Sequence, residues 1–232
     1  MAQDNDWAQD ESWGTVASGL RIYFSYALMT VVFGLIVALI SYAIASSGSY
    51  KAMKSLITLT RVAAAIGIGL SILGIVGLNK ISRIPDHSGA RGAATGALIL
   101  SVIGLIIGII TLVPLLGDIR VRDLGSNGLW DILARIVGLA QIFTLLGALK
   151  ATAEYIGRQD LSRQAVTVML LIGVAVILFL MLLLVGRIPV MALLLGLTAL
   201  GLVIWALVAF LVLLSRLARA VTKDVSLPEQ FS

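Results

Sequence analysis

The sequence predicts an all-α integral membrane protein, a bundle of about six transmembrane helices, on three observations. Charged residues make up only 12% of the 232-residue chain, where an ordinary soluble domain carries roughly 25%. Hydrophobic residues reach 59%, and the mean hydropathy is +1.06. These apolar residues fall into runs of about 20, the number that crosses a hydrocarbon core of about 30 Å at a rise of 1.5 Å each. So few charges cannot cover the surface of a water-soluble globule of this size.

Taken in order, residues 1–12 form an acidic tail with Asp4, Asp6, Asp10 and Glu11. The tail lacks the basic opening of a signal peptide, so the first span is expected to stay in the mature protein as its own insertion signal. Trp7 and Trp13 suit the membrane–water interface just ahead of it. The transmembrane domain is expected over 13–223, with spans at about 22–46, 60–78, 93–116, 130–150, 165–186 and 189–214, and a tail at 224–232. Pro114 is expected to end or kink the third span. Gly186-Arg187-Ile188-Pro189 reads as a tight turn in which proline opens the next helix. The fourth span is the most polar, with Asp131, Arg135, Gln141 and Lys150. If it lay on the surface, five spans would remain and the C-terminus would change sides.

Lys and Arg sort by side. With six spans, the side of the termini collects Arg21, Lys80, Arg83, Arg91, Lys150, Arg158, Arg163, Arg216, Arg219 and Lys223, ten in all. The other side collects seven: Lys51, Lys54, Arg61, Arg120, Arg122, Arg135 and Arg187. The excess places both termini in the cytoplasm, and the bacterial cytoplasmic (inner) membrane is the expected location.

Small residues mark helix faces. In the third span Ala97, Ser101, Gly104 and Gly108 recur at helical spacing, and Gly104 and Gly108 form a small-xxx-small pair. Gly34 and Ala38 in the first span and Gly67 and Ser71 in the second continue the pattern. In lipid, helices associate by close backbone approach, which small side chains permit. The stripes therefore serve internal packing, a face for a partner subunit or a second copy, or the lining of a pore. The fifth span, "VTVMLLIGVAVILFLMLLLV", has almost no such stripe and is expected to face lipid.

An ionisable or strongly polar residue at membrane depth marks a site by default. Asp131 and Arg135 sit one turn apart and read as an interfacial ion pair or a functional pair. Gln141 and Thr144 lie deeper, suited to an interhelical hydrogen bond or to a ligand contact. The turn "NKISRIPDHSGARG" at 79–92 gathers Lys80, Arg83, His87 and Arg91 around the start of the third span. Cations beside a helix N-terminus suit a lipid headgroup, though any cytoplasmic loop is expected to be basic. "PDHSGARG" after a glycine-rich span, together with "WGTVASGL" before the first, resembles poorly characterised bacterial polytopic membrane proteins, a resemblance that implies no activity.

Chemistry is narrowed by what the chain lacks. Zero cysteines and one histidine leave no disulfide, thiolate metal site or nucleophile–base pair, so no enzyme activity, metal or cofactor is expected. Membrane lipids and other membrane subunits or a second copy are the expected partners, and nucleic acid is not. The expected function is a non-catalytic accessory, scaffold or assembly subunit. The alternative is a small transporter or channel for a neutral solute or lipid.

Overall fold

The computed structural model describes residues 6–46, 50–116, 128–185 and 189–224. They form α1 (Asp6–Ser46), α2 (Tyr50–Ile81), α3 (Arg91–Leu116), α4 (Gly128–Tyr155), α5 (Gln159–Val185) and α6 (Pro189–Asp224), with a short 3-10 turn at Asp86–Ser88. The shortest, α3, has 26 residues, or about 39 Å of helix, and all six are long and apolar enough to cross a membrane. The protein is a polytopic, all-α membrane bundle. The expected turn at Gly186-Arg187-Ile188 lies outside the described residues. So do 1–5, 225–232 and the side chains of Trp7 and Pro114.

The helices outrun the predicted spans. α1 begins in the acidic segment at Asp6, and α6 continues to Asp224. Hydropathy marks only the stretch that touches lipid, whereas helix geometry persists wherever a face still packs. That face is visible at both ends of the chain: Val16 and Ala17 are buried near the start of α1, and Leu217 and Val221 near the finish of α6.

The helices form a ring in chain order. Each packs on its sequence neighbours, and α1 against α6 closes the circle. α1–α2, α3–α4 and α5–α6 are hairpins that turn at one end, and 82–90 and 156–158 join them at the other, here the junction end. α4 lies between α3 and α5 as a full member of this ring, so the start of α1 and the finish of α6 share the junction end.

Most of the core sits at that end. Leu20, Leu78, Ile84, Leu146, Leu161 and Leu217 are all 1% exposed or less. Both connections are folded parts of it. α4 stops in a Schellman arrangement: Gly157 adopts φ 71°, while the Arg158 amide donates to the Ala153 carbonyl (2.8 Å) and the Gly157 amide to that of Glu154 (3.0 Å). Arg158 then grips Asp160 through Nε (3.0 Å) and a terminal nitrogen (3.1 Å), placing a carboxylate in the first turn of α5 where the helix dipole favours it. The 152–161 stretch is thus only half solvated, with Thr152, Ala153 and Leu161 buried.

The tightest contact is the α1–α2 crossing. A Cβ added at Gly19 would stand 2.7 Å from the Lys80 Cβ, 2.8 Å from the Gly77 carbonyl and 2.9 Å from the Ile81 nitrogen. Two of those neighbours are backbone and cannot swing aside. At Gly34, on the same helix, nothing lies within 4 Å of an added Cβ. Gly19→Ala is therefore expected to destabilise the fold by about 1–3 kcal/mol, the usual cost of overpacking, and Gly34→Ala to leave it unchanged. Unfolding of the two variants in mixed micelles checks the contrast; equal stabilities would show that α1 and α2 do not cross here.

Candidate functional site

A polar contact spans the ring interior between opposite helices. Tyr23 on α1 is 4% exposed, and its hydroxyl faces the Gln141 side chain on α4. Aromatic rings complete its surroundings: Tyr26 lies 5.2 Å away edge-on and Phe210 of α6 lies 6.4 Å away, perpendicular. Gly74 of α2 makes room for this cluster, since a Cβ there would come within 2.9 Å of the Tyr26 ring. Burying a phenol and an amide in an apolar interior is tolerable only when each satisfies the other. The pair therefore specifies which faces of α1 and α4 turn inward.

The rest of the α4 set is distributed differently. Thr144 donates back to the Ala140 carbonyl at 2.7 Å, which spends its hydroxyl within the helix. Its methyl group would lie 3.2 Å from a Cβ at Gly96, so Gly96 is where α3 closes on α4. Arg135 is exposed on α4, and the Asp131 side chain lies outside the described residues. Further along the ring, the Gln164 amide of α5 donates to the Ala209 carbonyl of α6 at 3.2 Å, a second interhelical bond.

The cations of the α2–α3 turn are given separate partners. Lys80 donates to the Ser18 hydroxyl of α1 at 3.1 Å. Arg91 pairs with Asp86, and Arg83 is exposed. Ser88 accepts from the Ala90 amide (3.3 Å) and donates to the Pro85 carbonyl (2.7 Å), and Gly89 turns the chain at φ 66°. Ile84 and Ala90 anchor both sides of the turn in the core. The His87 side chain lies outside the described residues.

The small-residue stripes divide as well. Ala97 is fully buried, and Gly104, half-buried, faces Val137 of α4, whose Cγ1 would lie 3.8 Å from an added Cβ. Ser101, Gly67, Ser71 and Gly108 are half-buried, and Gly34 and Ala38 are exposed. Nothing lies within 4 Å of an added Cβ at Gly34, Gly67 or Gly108. Ser71 donates to its own helix at Gly67.

Sequence reasoning missed Tyr23, Gln164 and Gly19. A tyrosine in an apolar run counts as one more hydrophobic residue, and its only signal was Gln141, a polar group in need of a buried partner. The double-mutant cycle of Tyr23→Phe and Gln141→Leu is expected to show a coupling of about 0.6 kcal/mol, within the range of intramembrane hydrogen bonds. Unfolding in mixed micelles measures it, and strictly additive losses would mean that the two groups do not interact.

Among the described residues no three His, Cys, Asp or Glu side chains stand together as a metal site would need. The chain matches no protein-family model, no curated protein and no solved structure.

Proposed function

We propose that the chain is a non-catalytic accessory or assembly subunit of a bacterial cytoplasmic membrane, with both termini in the cytoplasm. It would associate with other membrane proteins, or with itself, through helix faces that its own fold leaves open. One observation carries the reading. The internal close approaches fall at Gly19, Gly74, Gly77 and Gly96, while Gly34 has nothing within 4 Å of an added Cβ. Gly34 and Ala38, one turn apart on α1, both stay exposed. A bare helix face of small residues gains nothing from lipid but lets another helix come close. The cytoplasmic orientation rests on the ten Lys and Arg assigned to the junction end against seven on the other side.

A second reading, transport of a neutral solute or lipid, is favoured by the uncharged Tyr23–Gln141 pair, which offers hydrogen bonding inside the ring without an ion to couple. Its test is flux through reconstituted vesicles, where Gln141→Leu would abolish passage.

For the subunit reading, Gly34→Leu combined with Ala38→Leu is expected to weaken association about tenfold, equivalent to 1–2 kcal/mol of helix packing. Helix content and membrane insertion should be unchanged. Particle mass after extraction in a mild detergent gives the answer: a double variant that assembles as the wild type does would remove this face as the interface.

A further inference from the structure

We infer a binding site for the phosphate headgroup of an anionic phospholipid in the cleft between α1 and α6 at the junction end, built on Arg21 with Lys80 beside it and without Arg83 or Arg91 of the α2–α3 turn. The cleft, about 270 Å³, is lined by Gly14, Ala17, Ser18, Arg21 and Ile22 of α1 and by Thr222 of α6. Those α1 positions are spaced by three and four residues and so share one face. The sequence places small residues at Gly14, Ala17 and Ser18, which opens the space, and a cation beside them.

The donors available suit a phosphate. Arg21 spends one N–H on the Thr222 hydroxyl at 3.3 Å, and a guanidinium carries five. Thr222 gives its own hydrogen to the Ala218 carbonyl at 2.7 Å, so it holds the guanidinium in place without competing for the ligand. Ser18 accepts from Lys80 at 3.1 Å and keeps its hydroxyl hydrogen to donate. That contact also brings a second positive charge next to the cleft. An arginine fork with a neighbouring hydroxyl and ammonium matches the charge and acceptor geometry of a phosphate oxygen pair.

Depth selects a lipid as the occupant. Arg21 precedes Ser46, the end of α1, by 25 residues, about 37 Å along the helix. With Ser46 at one edge of a hydrocarbon core of about 30 Å, Arg21 falls beyond the other edge, inside the headgroup layer of a bilayer about 40–45 Å thick overall. Half-buried Ile22 flanks the cation. Met29, two turns deeper on the same face, is 51% exposed, an apolar track for the acyl chains.

The test is native mass spectrometry of the full chain, delipidated in detergent and titrated with phosphatidylglycerol or phosphatidylcholine. The wild type should retain one phosphatidylglycerol per chain in preference to phosphatidylcholine. Arg21→Gln should lower phosphatidylglycerol affinity about fivefold, the share of one interfacial cation. Gly14→Leu, whose added Cβ meets nothing within 4 Å, fills the cleft without touching a charge and should lower binding as well. Arg219→Gln removes an exposed cation of the same end that donates to Ser215, and should leave binding unchanged. Equal losses from Arg21→Gln and Arg219→Gln, or full binding by Gly14→Leu, would replace the site with a diffuse surface field and overturn the proposal. Displacement of the lipid by millimolar inorganic phosphate would overturn the lipid assignment in favour of a free anion.

Discussion

The close approach of α1 and α2 at Gly19 and Gly77 is the constraint on which the ring depends. In hydrocarbon no water is released when apolar helices meet, so association rests on dispersion contacts and on how near two backbones can come. At Gly19 the partner helix stands where a side chain would begin. That crossing fixes the register of the first hairpin. It sets Tyr23 facing inward and holds Lys80 within reach of Ser18 on the neighbouring helix. Lighter versions of the same device follow: farther along this seam Gly74 receives the Tyr26 ring, and between α3 and α4 Gly96 receives the Thr144 methyl.

Polar groups then make the arrangement specific. Dispersion alone would let apolar helices rotate or slide with little penalty. Tyr23 and Gln141 join opposite members of the ring, and Gln164 reaches from α5 to a carbonyl of α6. Each such bond is weak in net terms because the alternatives also find partners. Leaving one unmade in the interior is costly, however, and that asymmetry removes rotated alternatives. At the junction end, Asp86 engages Arg91, Asp160 engages Arg158, and Glu154 takes both Lys150 (3.6 Å) and the Ser162 hydroxyl (2.9 Å). These exposed pairs add little stability, but they hold three carboxylates in fixed positions beside neighbouring side chains.

The number, type and order of helices were legible because the bilayer imposes a length and a hydropathy that few other environments require. Gln141 stood out for a related reason: a lone amide in hydrocarbon has to find a partner. The location of the core was not. Lipid and protein interior are equally apolar, so these helices carry no polar face to distinguish the two. Leu20 and Leu35, both on α1, look alike in sequence, yet one is 1% exposed and the other 61%. The stripes were ambiguous in the same way. Gly19 and Gly34 are both small residues in apolar surroundings, and only the crossing in three dimensions decides which one meets a backbone. The helix ends were not legible because charges end an apolar run without ending a helix, as α6 shows by burying Leu217 and Ala218 between Arg216 and Arg219.

The division between the two ends of the bundle bears on what the protein can do. At the junction end, side chains from all six helices and the intervening turns close on one another. Toward the hairpin end, Leu35, Leu39, Ile177, Leu180, Leu193 and Leu197 are each more than half exposed. In water such a surface would compel association, but in a bilayer it is fully solvated by acyl chains. Exposure by itself therefore implies no partner. A driving force arises only where an approaching helix gains contacts that lipid cannot supply, and an acyl chain fills a flat small-residue face less densely than an interdigitating helix does. Gly34 and Ala38 lie in this hairpin-end half of α1, away from the sealed junction. An occupant of that face would meet the chain in the half where its helices bury least of themselves against one another.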